Sequence, residues 1–137
     1  MKVKLLYPGI MTPSRGSIDS AGIDIYSPMD FTLYNKQTKK IPLGIAIEIE
    51  KDEVAIMSER SSMGKNGITS VGNIIDPDYR GEISIVLQNN NSLEQEFKNG
   101  DRIGQIVICK LGNRDIEVVD ELSITERGSG GFGSTNK

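Results

Sequence analysis

The segment Asp76-Pro77-Asp78-Tyr79-Arg80-Gly81 gathers carboxylates, a phenol and a guanidinium between the apolar pair Ile74-Ile75 and the run 82–88. A carboxylate held at a strand-loop-strand junction can serve as a general base toward water, with the phenol ring as a wall beside it. The same residues also spell an ordinary Asp-Pro turn carrying a solvated charge pair. Arg60-Ser61-Ser62 offers a guanidinium, hydroxyls and backbone amides, the donor set that a phosphate group requires, although Arg-Ser-Ser before a short helix also serves simply as a cap. Asp24 sits inside Ala21-Gly22-Ile23-Asp24-Ile25, a run that otherwise reads as core. A carboxylate there must be ion-paired, hydrogen-bonded to a loop amide or linked to a metal. In Gly100-Asp101-Arg102-Ile103-Gly104-Gln105-Ile106 the separation of Arg102 and Gln105 is odd, so strand alternation predicts that at most one of them points into a given pocket. Near the end, Arg127 is followed by glycines around Phe132 and then Ser134 and Thr135; glycine amides can wrap phosphate oxygens while the ring stacks on a base. Such a Gly/Ser composition is also what a disordered tail looks like.

The composition narrows the chemistry. Histidine is absent, which removes the commonest general base and the commonest zinc ligand and leaves carboxylates, Tyr, Lys, Ser or a hard metal. Sixteen Lys and Arg against 19 Asp and Glu give a net charge of -3, so no excess positive field gathers a nucleic acid polymer. The N-terminal MKVKLLYPGI turns polar within a few residues and has neither secretory nor membrane-spanning length, which predicts a cytoplasmic or nuclear protein, or one of the host cytoplasm if the source is viral. Cys109, the single cysteine, lies in an apolar run and is expected to be buried.

The elements that must position these groups are strands. With 137 residues the chain fits one domain. No window sustains a 3.6-residue apolar period, whereas period-two alternation and β-branched runs bounded by turn residues predict strands over 2–6, 22–26, 31–34, 40–49, 54–58, 82–88, 102–111 and 116–121. The class is all-β, arranged as a jelly roll or barrel that wraps its sheet edges. One very short helix is expected after Arg60, capped by Ser61 and Ser62 and ended by Gly67.

Read together and in order, these segments resemble the five motifs of the trimeric dUTPase family, from Ala21 to Thr135. Asp24 falls on the first motif, Arg60 and Ser61 on the second, Asp76, Asp78, Tyr79, Arg80 and Gly81 on the third, Gln105 on the fourth, and Arg127 with Phe132, Gly133, Ser134 and Thr135 on the fifth. The resemblance implies a distorted jelly-roll domain over 1–126 and a flexible tail over 127–137. It implies a homotrimer with active sites at subunit junctions, and a Mg²⁺-dependent enzyme that splits dUTP into dUMP and diphosphate, keeping uracil out of DNA. Asp76 would orient or deprotonate the attacking water, and Asp24 would bind the water shell of a Mg²⁺ held mainly by the triphosphate. Arg60, Ser61, Ser62, Gln105, Arg127, Ser134 and Thr135 would contact phosphates. Tyr79 would lie against the deoxyribose, Phe132 would stack on uracil, and Asp78 and Arg80 would support the loop. A hairpin over 70–75, with Gly72 and Asn73, would read uracil through its main chain.

This chain departs from the family pattern in the second motif, usually Pro-Arg-Ser-Gly, where Glu59 and Ser62 take the Pro and Gly positions; its hairpin is also about one residue shorter than in many relatives. A dCTP deaminase-like enzyme of the same fold is the nearest alternative, but it needs a glutamate where Val86 stands. A catalytically silent nucleotide-binding regulator is the other, and it would not need Asp76, Asp24 and the tail all present.

Overall fold

Short β-branched runs interrupted by Gly, Pro and Asn cannot build long elements, and the computed structural model, which describes residues 1–112 and 115–131, contains short strands and one five-residue helix. In chain order they are β1 (Lys2–Leu5), β2 (Ser14–Arg15), β3 (Ile23–Tyr26), β4 (Phe31–Leu33), β5 (Thr38–Pro42), β6 (Ile45–Glu48), β7 (Glu53–Ser58), α1 (Ser61–Lys65), β8 (Ile68–Val71), β9 (Ile74–Ile75), β10 (Ser84–Asn89), β11 (Gln95–Phe97) and β12 (Arg102–Lys110). The largest sheet runs β2-β3-β12-β7-β9. A second runs β5-β10-β8, and β1-β6 and β11-β4 form antiparallel pairs. The core lies between them, lined by Ile25, Leu33, Ile41, Ile45, Ile85, Leu87, Ile103 and Ile106, each at most 2% exposed. Asn89 is equally buried but satisfied: its amide donates to the carbonyls of Leu33 and Leu93 and its oxygen accepts from the Asn91 backbone.

The expected all-β class with one short helix is what the structure shows, with several local differences. The run 40–49 is two strands in different sheets. Gly44, at φ +68, turns the chain between β5 and β6, a conformation that only glycine adopts without strain. Strands β2, β9 and β11 span only two or three residues and escape alternation, as does β8, whose centre is the polar pair Thr69-Ser70. Ser61 and Ser62 do not cap α1: they are its first residues, Arg60 is the N-cap with no side-chain cap bond, and Gly67 at φ +68 follows the C-cap Asn66. Cys109 is half-buried, not buried, because β3 accompanies β12 only as far as Ile106, and beyond it β12 has β7 alone beside it. The segment 116–121 forms no strand; it finds no partner edge among the described residues, and Ile116 and Val118 are 92% and 95% exposed.

Strand β12 also carries a bulge. Arg102 pairs with Tyr26 and Gly104 with Ile25, so three residues of β12 span two of β3. A methyl group on Gly104 would sit 2.5 Å from Ile85 Cδ1 and 3.1 Å from the Ser58 carbonyl. Gly104→Ala should therefore destabilise the fold by about 1–3 kcal/mol through overpacking. Urea denaturation checks this, and an unchanged midpoint would show that the core yields at that point.

Candidate active site

The bulge sets the first half of the site. By adding a residue between Arg102 and Gln105 it restores both side chains to one face of β12, where strand alternation alone would have separated them. Gln105 pairs across the sheet with Asp24 of β3, whose neighbours Ile23 and Ile25 point into the core while Asp24 points away from it. The Asp24 carboxylate, 13% exposed, takes the Arg60 guanidinium at 3.1 Å and that of Arg102 at 3.3 Å. These ion pairs are how a carboxylate is tolerated in an otherwise apolar run. Gln105 Nε2 donates to the Glu59 carbonyl at 3.1 Å. A cavity here is lined by Asp24, Arg60, Ser61, Ser62, Arg102 and Gln105 together with Gly22 and Ser20. It is a pocket of hydroxyls, guanidinium groups and amides over one carboxylate, suited to an anion that brings its own cation.

The second half is built by β9. Its pairing with β7, Ala55 to Ile75, delivers Asp76 at the rim of a different cavity, lined by Met57, Gly72, Ile75, Asp76, Tyr79 and Val86 among others. Asp76 is exposed at that rim. Tyr79 is held by its own loop: its backbone N–H donates to the Asp76 carbonyl at 3.2 Å and its hydroxyl to the Glu82 carbonyl at 3.1 Å. A Cβ on Gly81 would come within 2.6 Å of Tyr79 Cζ, so only glycine lets the ring lie back on the chain. Arg80 donates to the carbonyls of Pro77 and Tyr79, at 2.7 and 3.0 Å, and Asp78 lines an adjoining cavity with Arg80 and Lys51. Gly72, at φ +67, lines the Asp76 cavity, whereas Asn73 turns back to donate to the Ser70 carbonyl at 3.3 Å.

These two cavities share no lining residue. Within one chain, Asp76 and Tyr79 are thus not brought into the pocket of Asp24, Arg60, Ser61 and Gln105. Arg127 is exposed beyond the last strand, its carbonyl accepting from the Gly130 backbone at 3.0 Å, and Phe132, Gly133, Ser134 and Thr135 lie outside the described residues.

Against protein-family models, residues 9–136 match the family described as dUTPase. The chain belongs to the dUTPase family. Membership makes it a hydrolase of nucleotide metabolism, a dUTP diphosphatase. It is 39% identical to a deoxyuridine 5'-triphosphate nucleotidohydrolase of Candida albicans, over 100% of this chain and 88% of that one. It is also 39% identical to the enzyme of that name in Nautilia profundicola, over 100% and 99% of the two chains. In fold it is similar to a Staphylococcus bacteriophage 80alpha dUTPase bound to dUPNHPP, with a TM-score of 0.92 at 24% identity over 99% of this chain and 98% of that chain.

For this dUTPase, sequence reasoning missed Arg102 at the Asp24 cavity, because strict alternation does not place it beside Gln105. Gly104 was the available signal, since a glycine inside a strand pattern marks a bulge. It also passed over Glu59 as a contact residue. Glu59 Oε2 accepts from the Ser70 hydroxyl at 2.7 Å and the Ser70 backbone N–H at 3.1 Å. The hydroxyl bond first, then backbone donation, holds its carboxyl below the ordinary value of 4.5. Its stabilising contribution is therefore complete above pH 4.5 and lost as the pH falls through the lower folded-state value. Among the described residues there is no group of three or more Cys, Asp or Glu arranged to hold a metal, and no helix long and apolar enough to cross a membrane.

Proposed function

We propose that this dUTPase hydrolyses dUTP at the α-phosphorus with Asp76 as the base, in sites assembled from more than one copy of the chain. Asp76 takes a proton from a water, the water oxygen bonds to the α-phosphorus, and the bond from that phosphorus to the oxygen bridging toward the β-phosphorus breaks. Diphosphate leaves and dUMP remains. Charge on the triphosphate is the main barrier to attack, and Arg60, Ser61, Ser62, Gln105 and the tail residues Arg127, Ser134 and Thr135 are the donors that meet it. Tyr79 packs on the deoxyribose, where a 2′-hydroxyl would collide, and Phe132 stacks on uracil. The turn at Gly72 and Asn73 presents main-chain groups to the base, and Asp78 and Arg80 support the loop.

Mg²⁺, when bound, neutralises phosphate charge and orients the chain of phosphates. The residues fit an ion carried in by the substrate: Asp24 is a lone carboxylate whose arginine partners leave part of its roughly four acceptor sites open to metal-bound water. Val86, which can carry no proton, lines the Asp76 cavity at the position where a dCTP deaminase-like enzyme would need a glutamate.

The observation that carries the assembly is the separation of the two cavities: Asp76 lines one without Arg60, Ser61, Ser62 or Gln105, and those donors line the other, where the only carboxylate among the described residues, Asp24, is already paired with Arg60 and Arg102. The uncovered aliphatic side chains Ile116, Val118, Leu122 and Ile124, 87–101% exposed, support it, since such a row is normally covered by protein. A homotrimer that closes a tail over each junction accounts for both.

The test incubates the protein with Mg²⁺ and, separately, dUTP, dCTP, dTTP and UTP, with products resolved by chromatography. Conversion of dUTP alone to dUMP and diphosphate is expected. Turnover of UTP at a similar rate would remove the role given to Tyr79, and deamination of dCTP would overturn the reaction itself.

A further inference from the structure

The turn that carries Gly72 and Asn73 is not an ordinary hairpin. Strand β8 pairs with β10, while β9 pairs with β7 in the other sheet, so the chain crosses between sheets at the turn. Backbone pairing fixes the β9 side well, and the Met57 N–H adds a bond to the Asn73 carbonyl at 2.8 Å. Continuing the β7–β9 register would put Val71 opposite Glu59. Instead Glu59 reaches Ser70, and it does so with both main chain and side chain. Its N–H donates to Ser70 Oγ at 3.1 Å, and its carboxylate accepts from both the Ser70 hydroxyl and the Ser70 N–H. These contacts replace the ladder that β7 and β8 do not form.

Glu59 also stands directly before Arg60, and its carbonyl holds the Gln105 amide. The Ser70 carbonyl in turn accepts from Asn73. One series of contacts therefore runs from Gln105 and Arg60, at one cavity, through Glu59 and Ser70 to Asn73, whose chain neighbour Gly72 lines the other. We infer that Glu59 is a positioning residue, which holds the turn at Ser70, Gly72 and Asn73 in register with the phosphate-side donors Arg60 and Gln105. Both Ser70 donors converge on one carboxylate oxygen, Oε2, and its negative charge strengthens both bonds; a neutral amide oxygen in the same place would accept them only as weaker, uncharged bonds.

The inference rests on the proposed reaction, because it is read through dUTP turnover. A misplaced base-side turn weakens binding in ground and transition states alike, and so raises KM with little change in kcat. In Glu59→Gln, loss of a charge-assisted bond pair is expected to raise the KM for dUTP about tenfold, with kcat within about twofold. Ser70→Ala should behave similarly, Ser70→Thr should restore most of the loss by returning the hydroxyl, and the double variant Glu59→Gln/Ser70→Ala should be little worse than either single one. Thermal unfolding is followed alongside. If the wild-type protein does not turn over dUTP, the functional reading fails and not this one. If it does, a wild-type KM in Glu59→Gln or Ser70→Ala overturns the positioning role, as does a lower Tm with an unchanged KM, which would leave Glu59 a purely structural contact. Should Glu59→Gln fail to fold, Ser70→Ala against Ser70→Thr decides the matter in the same way, because neither leaves a changed charge.

Discussion

Asp76→Asn is expected to lower kcat for dUTP by about 10²–10⁴-fold, the range that a positioned general base contributes, while leaving the fold and its stability intact. The side chain is exposed at a cavity rim, so removing its charge costs the chain little. The amide keeps the size and cannot accept the water's proton. Because Asp76 and Arg60 line separate cavities of one chain, the variant also tests assembly. Inactive Asp76→Asn and Arg60→Ala chains, unfolded and refolded together, should regain activity, since some junctions then pair an intact Asp76 with an intact Arg60. Wild-type turnover in Asp76→Asn would remove the base assignment. Full loss in each variant without recovery in the mixture would mean that both residues serve a site within one chain.

Deletion of 127–137 should reduce kcat/KM for dUTP about 10²–10³-fold, on the loss of a guanidinium, hydroxyl donors and an aromatic ring that each contribute through charge-assisted bonds or stacking. Stability should change by no more than about 0.5 kcal/mol. From Arg127 to Ser129 the chain is exposed, and the backbone bonds of Gly128 and Gly130 are local, to Thr125 and Arg127. Denaturation midpoints and steady-state kinetics measured on the same preparation separate the two effects. An inactive truncation that is also unfolded would show that the tail belongs to the core. One that is folded and fully active would remove Arg127, Phe132, Ser134 and Thr135 from the site.

Much of the candidate site could be read before the fold was known, because its chemistry is local. Two carboxylates and a phenol around Pro77, or a guanidinium beside hydroxyls at 60–62, are visible as neighbours in the chain, and their order along it carries the family resemblance. Burial of Ile25, Ile85 and Ile106 follows from alternation, which needs only the next few residues. Glu59 shows where this stops. As a letter it was a departure from a motif; its partner, Ser70, stands eleven positions on and belongs to another sheet.

Fold class, the absence of histidine chemistry, and the candidates for a base and for most phosphate donors follow from residue type and short-range period. Which of those groups share a pocket depends on how distant strands pair. One bulged residue in β12 moved Arg102 beside Gln105, a turn at Gly44 split one apparent strand between two sheets, and the segment 116–121, composed of aliphatic and acidic residues, became an uncovered chain for want of a neighbouring edge among the described residues. The placement of Asp76 and of Arg60 with Gln105 at separate cavities is of the same kind. Register and strand neighbours are set by contacts between residues far apart in the chain, and a one-residue shift reverses every side chain that follows it, so no local pattern can state them.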